Sequence, residues 1–148
     1  MKRSITSQVR IRRSPKDIID ALVNLDKLKE WWGVDSGLIQ KKDGGLYTLT
    51  WMRNEDGIKF ISSGQINLYN FRSHLYLEKV VYLNYQKPIL GPFTIKYDVT
   101  EKDTYSLLTV VQGGFEKGGV WDWYFDATSE GWGQALSMLK MYLEKEIN

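Results

Sequence analysis

The feature that most constrains this chain is its last long stretch, residues 121–147, with Ser129-Glu130-Gly131-Trp132-Gly133 in its middle. At about 100° per residue, a helix here gathers Trp121, Phe125, Thr128, Trp132, Ala135, Leu139, Tyr142 and Leu143 on one apolar face. Such a helix has to be covered. A rise of about 1.5 Å per residue makes it roughly 40 Å long, so the cover must be long as well. Most of the remaining chain reads as strand, and a sheet bent around the helix is the cover it offers. Gly131 and Gly133 each cost about 1 kcal/mol relative to alanine inside a helix; a close backbone approach or a bend is therefore expected there. Trp123 falls about 160° from Trp121 on the same wheel, beside Met141. Either the connection around residues 85–92 or a homodimer contact is expected to cover it, and with Met141 it would form an apolar patch.

Composition narrows the function classes. The 148 residues are expected to form one domain, 1–148, large enough to bury about 70% of its unfolded surface without metals or disulfides. There is no cysteine, which excludes disulfides and thiolate sites. With 20 basic and 18 acidic side chains, net +2, the chain lacks the basic excess of a nucleic-acid binder. Its first residues lead into no apolar signal core, and no apolar run reaches the length of a membrane span, so a soluble cytoplasmic protein is expected. Six tryptophans and nine tyrosines favour both thick cores and ligand-lined cavities.

Residues 4–13 alternate, with Ile5, Val9 and Ile11 on one side and Arg10 and Arg12 on the other, which predicts a half-buried strand with its arginines in water. Ser14-Pro15-Lys16-Asp17 opens a helix, with Ser14 as N-cap, Pro15 at the first position and Asp17 placed for a reciprocal cap. Asn24 and Asp26 interrupt and recap it, so 27–32 reads as a second short helix ending at Gly33. Neighbouring helical residues point apart, and of Trp31 and Trp32 the second is expected to pack inward. From 34 to 115, Asp43-Gly44-Gly45, Glu55-Asp56-Gly57 and Glu101-Lys102-Asp103 punctuate an antiparallel meander. Strands are expected near 37–41, 46–53, 58–68, 73–85, 93–100 and 105–115, with Pro88 and Pro92 in a longer connection and a bulge or bend at Gly64.

Groups able to carry chemistry are few. His74 has no second ligand type beside it and reads as a surface histidine, so no metal and no cofactor is expected. Glu78 is the one carboxylate inside an apolar strand. Facing a cavity it would be a weak candidate for general acid-base work; facing outward it would pair with Lys79 or a cross-strand cation. The aromatic set Trp32, Tyr47, Trp51, Tyr97, Trp121 and Trp132 either fills a core or lines a cavity.

The first strand, a Ser-Pro-initiated helical pair ending in Trp31-Trp32, a meander opening at Gly44-Gly45-Leu46-Tyr47 and a last helix entered through Gly131-Trp132 together resemble the Hsp90-ATPase-activator-like branch of the Bet v 1/START superfamily. The similarity covers nearly the whole chain. It implies an α+β helix-grip fold, in which a curved antiparallel sheet encloses a long C-terminal helix and leaves a cavity. Relatives of this kind bind lipids, sterols, polyketides or other apolar molecules. Where relatives often carry histidine at the end of the last strand, this chain reads Val110-Val111-Gln112, and Gln112 bonds a ligand without shuttling a proton. The implied function is binding of a small apolar or aromatic molecule, with Gln112, Tyr47 and Tyr124 orienting it. A cyclase- or hydrolase-like enzyme using Glu78 or tyrosine hydroxyls, and a co-chaperone-type interaction module, are the alternatives.

Overall fold

The computed structural model describes residues 2–145. The elements run β1 (Arg3–Ile11), α1 (Pro15–Val23), α2 (Leu25–Trp32), β2 (Ser36–Ile39), β3 (Leu46–Trp51), β4 (Phe60–Asn70), β5 (His74–Asn84), β6 (Leu90–Glu101), β7 (Ser106–Phe115) and α3 (Val120–Glu144). Seven strands form one antiparallel sheet in the order β1-β7-β6-β5-β4-β3-β2. The sheet curves around α3, giving the α+β helix-grip arrangement. Tyr124, Trp132, Ala135, Leu136, Leu139 and Leu143 form the buried side of α3, joined to a core that includes Ile18, Ile19 and Leu22 of α1. The expected extension of α3 through 146–147 lies outside the described residues.

Local chemistry explains the helical pair. Ser14 Oγ accepts from the Asp17 amide at 3.2 Å with Pro15 in the first turn, although only this half of the reciprocal cap is made. Asn24 Oδ1 accepts from the amides of Asp26 and Lys27 and restarts the helix, and Gly33 ends it at φ 71. The expectation for the two tryptophans is reversed: Trp31 is the core residue, 6% exposed, whereas Trp32 is half-buried. The cause is a hydrogen bond. The last carbonyls of a helix lack intrahelical partners, and the Trp31 indole N–H donates to the one on Ala21 at 2.8 Å. Trp32 then stacks on Trp31, centroids 5.0 Å apart and 6° from parallel.

Two sheet irregularities also depart from expectation. Gly64 is not the bulged residue; it faces the bulge, which is in β5, where Lys79 adopts φ 54 and two residues pass while β4 advances by one. A Cβ on Gly64 would stand 2.6 Å from Val80 Cγ2. Pro92 lies inside β6, where Val80 pairs with Phe93 and Tyr82 with Leu90, rather than in the preceding connection.

β1 runs alongside α3 and holds both of its ends. At the start, Arg3 donates to Asp122 at 2.8 Å and to the Glu116 carbonyl at 2.7 Å, with its guanidinium over Phe125. At the far end, the Arg12 amide donates to Glu144 at 2.8 Å and Arg13 Nε to the Leu143 carbonyl at 2.6 Å. Arg12, which alternation places in water, therefore also serves as a tie. Replacing Gly64 by alanine should destabilise the fold by about 1–3 kcal/mol through overpacking. Truncating Val80 to alanine in that background should cost less than in the wild type, a coupling of about 1 kcal/mol measurable by denaturant titration.

Candidate functional site

Although Trp121 and Tyr124 touch Phe93, the N-terminal half of α3 elsewhere stands off the concave side of the sheet. Between them lies a cavity of about 450 Å³. Alternate residues of each strand face it: Tyr47, Leu49 and Trp51 from β3, Phe60 and Ser62 from β4, Phe93, Ile95 and Tyr97 from β6, and Gln112 from β7. On β5 the bulge changes the alternation, so Leu77 faces inward before it and Val80, Tyr82 and Asn84 after it. Trp32 closes one side from α2, while Tyr124, Thr128, Gly131, Trp132 and Ala135 form the α3 wall. Met52 and Trp123 stand at the mouth, 63% and 46% exposed. A volume of this size lies within the usual range for small-molecule sites, about 300–1,000 Å³. Trp32, Tyr47, Trp51, Tyr97 and Trp132 therefore line space rather than filling it.

Among the described residues, none of the wall side chains is charged. Its buried polar groups are largely committed to the protein. Tyr47 donates its hydroxyl to the Leu22 carbonyl at 2.6 Å, satisfying another free carbonyl at the end of α1. Trp51 donates to the Trp32 carbonyl at 3.2 Å at the end of α2. Deepest on the α3 side, the Trp132 indole donates to Gln112 Oε1 at 2.8 Å, a bond buried at both partners. Burial pushes the phenols of Tyr47, Tyr97 and Tyr124 well up, with hydrogen bonding to Thr128 and Gln112 offsetting part of the effect at Tyr124. All three stay protonated near neutral pH.

Of the residues that the sequence singles out, Trp32, Tyr47, Trp51, Tyr97, Gln112, Tyr124 and Trp132 come together on this wall. Trp121 does not. It packs edge-on against Phe93 at 5.8 Å, outside the wall. Glu78 is also absent from the wall: it pairs in register with Gln65 and precedes the Lys79 bulge, so Leu77 and Val80 take the inward positions around it. His74 lies on the same strand, bonded to Asp98 at 2.6 Å, and Tyr76 donates to that carboxylate at 2.6 Å. Trp123 is met from the 85–92 connection by Lys87, whose ammonium lies 4.5 Å from the ring centroid. It forms no patch with Met141, because eighteen positions at about 1.5 Å each separate them by roughly 27 Å along the helix. The close approach expected at the helix glycines is not made: a Cβ on Gly131 or Gly133 would meet nothing within 4 Å. Gly131 instead leaves room beside the mouth.

Phe60, Ser62 and Tyr82 are wall residues that periodicity overlooks. Tyr82 shares the alternation of Val80, but relating Val80 to Leu77 requires the bulge, which a non-glycine residue at positive φ creates without a sequence signal.

No helix of the described residues is long and apolar enough to cross a membrane. No curated protein matches the chain. Solved structures with the same fold include protein MLL2253 from Mesorhizobium loti, 16% identical with TM-score 0.79 over 99% of this chain and 100% of that one. The Aha1 dimer from Colwellia psychrerythraea is 15% identical with TM-score 0.74 over 99% of both chains. DynU16, of the dynemicin biosynthetic locus, is 15% identical with TM-score 0.74 over 95% of this chain and 47% of its own. The family model described as activator of Hsp90 ATPase homolog 1-like protein matches residues 12–144, from the end of β1 to the end of α3, and the chain belongs to that family.

Proposed function

We propose that this chain binds a small apolar or aromatic molecule non-covalently between the curved sheet and α3. The observation that carries this reading is the aromatic-walled cavity of about 450 Å³, open past Trp123 and Met52. Transfer of about 200 Å² of apolar ligand surface out of water would contribute roughly 5 kcal/mol before ordering costs. Trp32, Trp51, Tyr97 and Trp132 would supply flat faces for it. The DynU16 structure is in keeping with the reading, since that protein lies in the dynemicin biosynthetic locus. Acid-base catalysis finds less support: Glu78 is not on the wall, and the buried phenols are poor proton donors and acceptors near neutral pH.

Native mass spectrometry of protein purified from its own host should reveal a retained small molecule. In vitro, a neutral dimethylaminonaphthyl methyl ketone should bind with a blue-shifted emission, and Ala135→Phe, which puts a ring into the cavity, should weaken it at least tenfold. Failure of the wild type to bind any such probe would sink the reading. Gly131→Ala should raise stability by about 1 kcal/mol, since the added methyl group meets no neighbour; a thermal melt of the two proteins checks it.

A further inference from the structure

The polar groups of the cavity wall differ in one respect that bears on what the cavity accepts. Tyr47 is spent on Leu22, Trp51 on Trp32 and Trp132 on Gln112, Tyr124 has Thr128 and Gln112 beside its hydroxyl, and Ser62, Tyr82, Asn84 and Thr128 are half-buried rather than buried. Tyr97 is 1% exposed, yet among the described residues no protein group bonds its hydroxyl, and the oxygen is open to the cavity rather than sealed in the core. The position is fixed from several sides. Tyr97 sits mid-strand in β6, paired with Leu75 and Val110, and its ring meets Trp132 edge-on at 5.8 Å. A buried hydroxyl without a partner is costly unless something supplies one.

We propose that the Tyr97 hydroxyl is the recognition point of the cavity, and that the ligand is a neutral aromatic molecule placing one carbonyl oxygen against it. This deepens the binding reading above and rests on it. Neutrality follows from the wall. A carboxylate or sulfonate would give up its hydration with no cation facing it, and a ligand ammonium would find no carboxylate. Lys87 lies over the mouth residue Trp123 and is not part of the wall. An aromatic body suits the edges and faces offered by Trp32, Trp51 and Trp132. The hydroxyl then supplies a buried directional contact that fixes which end of the molecule enters first.

Fluorescence titration with the dimethylaminonaphthyl methyl ketone and the corresponding dimethylaminonaphthoate, on wild type, Tyr97→Phe and Ala135→Phe, tests this. The wild type should bind the ketone and take the carboxylate at least a hundredfold more weakly. Tyr97→Phe removes a single oxygen and should weaken the ketone about threefold to tenfold. It should also move the bound ketone's emission further to the blue, the signature of a carbonyl that has lost a hydrogen bond and a readout that a merely structural tyrosine would not move. Equal affinity with unchanged emission in Tyr97→Phe, or equal binding of the two probes, would overturn the assignment while leaving the cavity reading standing, provided Ala135→Phe still blocks the ketone. Absence of ketone binding to the wild type would overturn both.

Discussion

What the structure depends on is the satisfaction of polar groups in an aromatic interior. Each helix that packs on the sheet brings carbonyls that its own backbone leaves unpaired, and here aromatic side chains supply the donors for α1 and α2 and an arginine for α3. Trp31 and Tyr47 reach the Ala21 and Leu22 carbonyls, Trp51 reaches Trp32, and Arg13 reaches Leu143. One side chain thus provides apolar bulk and a cap together, which is why a chain with so many Trp and Tyr residues buries them without leaving helix ends orphaned. The same bonds orient the rings. With their tips anchored, the rings stand as fixed walls instead of collapsing into the space between sheet and helix.

The cavity follows from how α3 is held. Arg3 ties its first turn to β1, Arg12 and Arg13 tie its last, and the Trp132–Gln112 bond fixes its middle to β7. Between the first tie and the middle one, α3 presents Ala127, Thr128 and Gly131 to the cavity, side chains too small to reach the sheet. Beyond Trp132 the buried leucines close the gap. The volume is therefore placed toward one end of the helix, next to the mouth residues Trp123 and Met52.

This arrangement separates two uses of similar residues. Tyr47 and Tyr97 both face the cavity, and both are almost fully buried. The first spends its hydroxyl on the fold; the second keeps it. Gln112, at the position where the family resemblance would place a proton-shuttling group, spends its carbonyl on Trp132, so its chemistry is used in seating the helix. An uncharged wall in which, among the described residues, the almost fully buried hydroxyl of Tyr97 has no protein partner is suited to orienting a ligand rather than transforming it.

The sequence by itself determined the long apolar face of α3, the caps at Ser14, Asn24 and Gly33, and the alternation that sends Tyr47, Trp51 and Tyr97 to one side of the sheet. These are properties of neighbours along the chain, set by helical and strand periodicity and by turn chemistry. Only the tertiary structure decided which tryptophan of the pair goes inward, because that choice hangs on a carbonyl ten residues away. It also decided that Glu78 and Trp121 miss the cavity, since a bulge at Lys79 and the seating of α3 against Phe93 are made by contacts between strands and between layers. Whether aromatic rings fill space or enclose it depends on how far apart two surfaces are held, and that distance is fixed by ties between residues more than a hundred positions apart, such as Arg3 with Asp122.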